Sequence, residues 1–159
     1  MEKITFLGCG SWGGALGKLL SNKGIHLTMW HRNAEVVRTL TETRRHYLIP
    51  ELIFPNNIVF TNDISSGIDS SDIIVLALPS QTIRGIISQN RSSFNDQQII
   101  VNISKGIEND SLMTISEVIK DTLEDDHKSV VTLSGPSHAE EVIRNHPTTL
   151  VAASRDIES

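Results

Sequence analysis

Gly8, Gly10 and Gly13 fall at the spacing G-x-G-x-x-G, and each has a separate physical use. The first makes a tight turn, the second lets backbone approach a pyrophosphate, and the third lets helix and strand pack closely. A helix opening at this point offers free N–H groups and the positive end of its dipole to phosphates. Three glycines at this spacing also suit a plain glycine-rich turn. The setting favours a dinucleotide: an apolar run (Ile4, Phe6, Leu7) ends at Gly8, and a helical apolar stripe through Trp12, Ala15, Leu16, Leu19 and Leu20 begins at once. Gly24 stands where that helix should stop.

The other candidates lie where strands are expected to end, which is where open parallel sheets bind ligands. The strand His26–Trp30 runs into His31-Arg32, with no acid until Glu35. An acid there would suit the adenosine ribose of NAD(H), whereas Arg32 suits the extra phosphate of NADP(H), so NADP(H) is favoured and NAD(H) is still accommodated. The competing use of Arg32 is a solvated surface charge, and His31 either stacks on adenine or is simply exposed. Ser104-Lys105-Gly106 ends a later strand. Lys105 is the ionisable side chain placed to polarise a carbonyl or hold a phosphate, or else a solvated loop lysine. Ser134-Gly135-Pro136-Ser137 precedes a helix, where free N–H groups suit an anion and plain capping by either serine is the competing use.

The elements that must position these residues alternate between strand and helix. Ala34–Arg45 reads as a helix capped by Asn33, with Val36, Val37 and Leu40 inward and Glu35, Arg38, Glu42, Arg44 and Arg45 outward. Tyr47–Asn57 is an apolar loop with two prolines, which either closes over a cofactor or plugs the end of the sheet. Strands follow at Ile58–Phe60, Asp72–Leu78, Gln98–Ile103, Val130–Leu133 and Thr149–Ala153. Between them come helices at Ile64–Ser70, at Gln81–Asn90 (Ile83, Ile86, Ile87 inward), at Leu112–Leu123 (capped by Asp110 or Ser111) and at His138–Asn145. The pattern predicts an α/β fold, a doubly wound, mostly parallel Rossmann-like sheet. Asp156 reads as the N-cap of one more helix with only three residues after it. The chain is therefore expected to be part of a longer protein.

At 159 residues the chain suits one well-cored domain, and an aromatic content of 4% demands an aliphatic core. A net charge of −5 argues against nucleic acid or an anionic membrane as partner. No stretch is long and apolar enough to span a bilayer, and no secretory leader precedes the glycines. One cysteine excludes an internal disulfide and fits the cytoplasm. That residue, Cys9, reads as a small semi-buried filler rather than a reactive thiol. Six scattered histidines without H-x-x-x-H spacing give no metal site, and neither a G-x-S-x-G elbow nor a P-loop is present.

Gly8-Cys-Gly-Ser-Trp-Gly13, Trp30-His-Arg32, Tyr47-Leu48, Pro55-Asn-Asn-Ile58 with Thr61-Asn-Asp63, Pro79-Ser80, Ser104-Lys-Gly-Ile-Glu108 and Ser134-Gly-Pro-Ser-His-Ala-Glu-Glu-Val142 occur in one order. In that order they closely resemble the N-terminal domain of bacterial NAD(P)-dependent glycerol-3-phosphate dehydrogenase, from Lys3 to Ser154. The Ser-Lys-Gly-Ile-Glu and Ser-Gly-Pro-Ser blocks are specific to that family. The glycine loop is shared by many dehydrogenases.

The resemblance implies that residues 1–159 form an NAD(P)-binding domain, truncated near its C-terminal end, of an enzyme interconverting sn-glycerol 3-phosphate and dihydroxyacetone phosphate and feeding glycerophospholipid synthesis. Gly8, Gly10, Ser11, Trp12, Gly13, His31, Arg32, Tyr47 and Ala139 would serve the cofactor. Lys105 would touch both cofactor and substrate, and Gly135 and Ser137 would hold the phosphorylated triose. In the family a helical second domain supplies the general acid/base lysine in a Lys-Asn motif, and this chain has no Lys-Asn pair. The chain alone is therefore expected to bind cofactor without turnover. A homodimer of the full-length protein fits the resemblance. The competing readings are a 6-phosphogluconate- or ketopantoate-type dehydrogenase, or a non-catalytic dinucleotide sensor.

Overall fold

In the computed structural model, residues 2–124 and 129–155 are described, and the expected helix start at Asp156 lies outside them. Seven strands form one sheet: β1 (Ile4–Leu7), β2 (Leu27–Trp30), β3 (Ile58–Thr61), β4 (Ile73–Leu76), β5 (Ile99–Asn102), β6 (Val130–Ser134) and β7 (Val151–Ser154). Their order across the sheet is β3-β2-β1-β4-β5-β6-β7. All pairings are parallel except β6 with β7, so the expected mostly parallel, doubly wound sheet is the one observed. The switch point lies between β1, which continues to β2, and β4. The cleft opens there, as expected for this topology.

Among the described residues, six α-helices connect the strands: α1 (Ser11–Asn22), α2 (Ala34–Thr43), α3 (Ile64–Asp69), α4 (Ile83–Gln89), α5 (Ile115–Leu123) and α6 (Ala139–Ile143). Successive strand residues face opposite sides, which separates two apolar layers. Phe6, Met29, Phe60 and Val75 pack with Ala15 and Leu16 of α1, Leu40 of α2 and Val142 of α6. Leu7, Trp30, Ile74, Leu76 and Ile100 pack on the other face with Ile68 of α3, Ile83 and Ile87 of α4 and the Ile115, Val118, Ile119 stripe of α5. Each such aliphatic side chain contributes about 1.5–3 kcal/mol by leaving water.

Three details differ from the expected elements, and one open alternative is decided. Leu19 is 36% exposed, and α1 buries Gly13, Gly14, Ala15, Leu16 and Gly17 instead; a face of small residues lets this helix lie close to the sheet. Arg44 is not an outward charge. It sits just past α2 at φ 57°, donates to the Pro55 and Ile58 carbonyls, and stacks over Phe60 at 5.0 Å. α5 begins at Ile115 rather than Leu112, because Thr114 and Glu117 form a capping box that outcompetes Asp110 and Ser111. Leu112 is left 70% exposed in a left-handed turn. The loop after Tyr47 plugs the sheet: Ile49, Leu52 and Phe54 are buried in the first apolar layer, while Leu48 and Ile53 face solvent.

Candidate functional site

Beyond the carboxyl ends of β1, β4 and β5 lies a cleft of about 350 Å³. Gly10–Gly13, Ala77–Pro79, Ile103–Lys105 and Ser137–Ala139 line it. The topology thus brings the expected Gly10, Ser11, Trp12, Gly13, Lys105, Ser137 and Ala139 to one place, from segments far apart in the chain.

The three motif glycines have distinct surroundings. Gly8 turns at φ +107°, and a Cβ there would lie 2.4 Å from the Ala77 carbonyl oxygen. A Cβ on Gly13 would lie 2.7 Å from the Gly8 carbonyl oxygen and 2.8 Å from the Ala77 side chain, so the helix can meet the strand only at glycine. Around Gly10 a Cβ would meet nothing within 4 Å. That space belongs to the cleft. Gly10 is also the N-cap of α1, with no side-chain cap and no acid in the first turn, whereas Asn33, Asp63 and the Thr114/Glu117 box cap α2, α3 and α5. An uncapped helix start beside open space suits an anion.

Lys105 spans the cleft floor. Its Nζ donates to the Ser137 carbonyl at 2.9 Å and lies 5.8 Å from the Trp12 ring centroid. One side chain therefore links the glycine loop to the Ser-Gly-Pro-Ser segment. Ser137 is buried, and its hydroxyl donates to the Gly135 carbonyl at 3.3 Å. Gly135 lines an adjacent hollow with Ser104, Lys105 and Gly106. Its missing side chain also has a packing reason, since a Cβ would lie 2.4 Å from the Thr149 carbonyl oxygen. The helix after Ser137, α6, has only five residues and carries Glu140 and Glu141 in its first turn, which weakens the case for its N-terminus as an anion site.

The loop bearing Lys105 is braced from α4 and the turn before it. Ser104 Oγ donates to the Leu76 carbonyl at 3.2 Å and accepts from Leu78 N–H at 3.3 Å. Gln81 Nε2 donates to the Ile107 carbonyl at 2.8 Å, and its Oε1 accepts from Asn109 N–H at 3.0 Å. Arg84 grips Glu108 with two bonds, Nε to Oε1 and Nη2 to Oε2, each 2.9 Å, and also pairs with Asp121 of α5. The Arg84 hydrogen bonds, helped by Ser111, hold the Glu108 carboxyl below its ordinary pKa. None of these long-range partners was visible in the sequence.

His31, Arg32 and Tyr47 gather beside the cleft rather than in it. Tyr47 Oη lies 3.4 Å from His31 Nε2, with the rings edge-on at 5.3 Å, and Arg32 is exposed next to them. Burial lowers the His31 pKa, and the neighbouring Arg32 charge adds to the shift against the Asn33 backbone. Sequence reasoning missed His46, which is 2% exposed beneath the glycine loop. Cys9 is fully buried with its pKa pushed up to about 12 by desolvation, so the filler reading holds. Among the described residues no cluster of His, Cys, Asp and Glu could hold a metal, and no helix is long and apolar enough to cross a membrane.

Sheet order, switch-point cleft and glycine loop define a Rossmann-type α/β domain. Residues 3–159 match the family described as "NAD-dependent glycerol-3-phosphate dehydrogenase N-terminus". The chain is 43% identical over 160 residues to "Glycerol-3-phosphate dehydrogenase [NAD(P)+] 2" of Lactobacillus delbrueckii subsp. bulgaricus, covering 98% of this chain and 48% of that protein. It is 37% identical over 159 residues to "Glycerol-3-phosphate dehydrogenase [NAD(P)+]" of Bacillus subtilis, covering 99% and 46%. The crystal structure of glycerol-3-phosphate dehydrogenase from Coxiella burnetii superposes with a TM-score of 0.91 at 26% identity, over 99% of this chain and 48% of that one. The chain belongs to the NAD-dependent glycerol-3-phosphate dehydrogenase family, in its N-terminal domain. It spans about half the length of the curated relatives it matches.

Proposed function

We propose that the chain binds NAD(P)(H) across the switch-point cleft and, as part of a longer cytoplasmic protein, serves the interconversion of sn-glycerol 3-phosphate and dihydroxyacetone phosphate. The bound dinucleotide would supply the hydride. The observation that carries this reading is the meeting of Gly10, Trp12, Lys105 and Ser137 in one cleft, with Lys105 bonded to Ser137 and lying over Trp12. In this reading the uncapped start of α1 and the space at Gly10 receive the pyrophosphate. Exposed Arg32 faces the adenosine end and favours NADP(H), beside the ring pair of His31 and Tyr47. An ammonium has three donors, and the Ser137 carbonyl takes one. The rest of Lys105's capacity serves the substrate phosphate or carbonyl, next to Gly135 and Ser137. Proton transfer belongs to a lysine in the second domain, so this chain by itself binds without turnover.

The test is a fluorescence titration with NADPH and NADH, read by Trp12 and Trp30. Gly10→Ala separates function from folding. A Cβ there meets no protein atom and Gly10 has φ −69°, so stability should change by no more than about 0.5 kcal/mol. Affinity should fall on the order of tenfold or more as the methyl meets the pyrophosphate. Unaltered affinity in Gly10→Ala would remove the phosphate from this loop.

A further inference from the structure

We propose that His46 is a positioning residue for the cofactor's phosphate site, holding the glycine loop through the Cys9 carbonyl and tying it to the turn that carries Tyr47. This rests on the cofactor reading above. The ring reaches the loop across 37 residues of sequence: Nε2 lies 2.9 Å from the Cys9 carbonyl oxygen. A carbonyl can only accept, so Nε2 carries the proton. Nδ1 accepts from the N–H groups of both Leu48 and Ile49, each at 3.1 Å. Both ring nitrogens are thereby assigned, and the ring is the neutral Nε2–H tautomer.

The fit is steric as well as polar. A Cβ on Gly14 would lie 2.8 Å from His46 Cδ2 and 2.9 Å from Nε2, so the ring presses on the first turn of α1. Its other face stacks on Tyr47 at 4.9 Å and 21°. The groups that face it are the buried, protonated Cys9 thiol, Tyr47, whose pKa burial raises, and His31 at the end of β2. Desolvation keeps His46 itself below the ordinary histidine pKa, against the opposing pull of the Cys9 and Gly10 backbone and with the support of His31.

The consequence for binding follows from peptide planarity. In a trans peptide the carbonyl and the following N–H point in opposite directions. Fixing the Cys9 carbonyl toward His46 sets the Gly10 N–H on the opposite side, at the cleft-lining residue where the Cβ space is open. The same ring holds the backbone next to Tyr47. His46 therefore couples the phosphate loop to the His31–Tyr47 pair without touching the cofactor.

The experiment compares NADPH titrations of the wild-type chain, His46→Leu and His46→Gln, together with thermal unfolding and ¹⁵N imidazole NMR of the wild type. Loss of the ring nitrogens in His46→Leu should weaken NADPH binding by about tenfold. The amide of Gln, which can still donate to Cys9, should restore affinity to within about threefold of wild type. The ¹⁵N shifts should report a neutral Nε2–H ring at pH 7 and should move when NADPH is added. Equal affinity in wild type and His46→Leu overturns the proposal, even if His46→Leu is less stable; a merely structural role would have that signature. If His46→Leu does not fold, an unmoved ¹⁵N signal on NADPH addition, or an Nδ1–H or charged ring at pH 7, overturns it. A wild-type chain that binds neither nucleotide sinks the cofactor reading first and this inference with it.

Discussion

The glycine loop at residues 8–13 and the Lys105 loop at residues 104–109 meet where Lys105 lies over Trp12, yet they are held by different forces. Contact holds the first: Gly8 and Gly13 sit against backbone and Ala77 at distances no side chain could share, and the buried neutral His46 closes it from below. Charge and amide hydrogen bonds hold the second, through Arg84, Glu108, Asp121 and Gln81 at a half-open surface. Under the proposed function, the glycine loop would receive phosphates and gains from surroundings without competing carboxylates. Lys105 would reach two ligands, and its loop is braced from outside, by groups that do not line the cleft.

That contrast is easiest to break at Gly8. Gly8→Ala adds a Cβ 2.4 Å from a carbonyl oxygen at φ +107°, so overpacking and backbone strain together should cost on the order of 3–5 kcal/mol. Urea unfolding measures this, and a variant of wild-type stability would show that contact does not hold the loop. Arg84→Ala should lower the melting temperature by less, and the loss should shrink in about 1 M salt because screening already weakens the pairs it removes. The Gly8→Ala deficit should not respond to salt. Equal salt dependence in both variants would erase the distinction.

Acid should separate the loops by pH window. His31 and His46 lie below the ordinary histidine value of 6.5 in the folded chain, so the unfolded chain takes up these protons first. Stability should therefore begin to fall as pH drops below 6.5. Glu108 lies below its ordinary 4.5, so its contribution persists above that pH and is lost on further acidification. Thermal melts from neutral pH downward should show the first loss in wild type but reduced in His46→Gln, and the second reduced in Arg84→Ala. The smallest effect is expected at the exposed rim. Arg32→Ala should weaken NADPH by roughly tenfold, leave NADH nearly unchanged and not alter stability, read by the same fluorescence titration.

The contact-held region was the more legible in the sequence. Gly8, Gly10 and Gly13 follow a short local pattern between an apolar run and a helical stripe, so spacing and setting together announced turn, open approach and close packing, although the partner that crowds Gly8 and Gly13, Ala77, lies far along the chain. The strands were legible for the same reason, as short aliphatic runs bounded by turn residues. The charge-braced region was not, because Arg84 finds Glu108 and Asp121 at sequence separations of 24 and 37 residues. His46 escaped notice for the same reason; nothing in Arg45-His46-Tyr47 points to Cys9. The start of α5 was a different kind of miss. Thr114-Ile-Ser-Glu117 is a local capping box that could have been read, but the apolar run from Leu112 masked it.

The strand order has a consequence on the ribosome. β1 lies at the centre of the sheet, and one of its two partners, β4, follows it by about 70 residues. At ~5–20 residues per second, roughly 3 to 14 seconds pass between synthesis of β1 and arrival of the strand that covers its second edge. During that interval Ile4–Leu7 exposes an unpaired apolar edge. The nascent chain should therefore depend on a chaperone more than its finished stability would suggest.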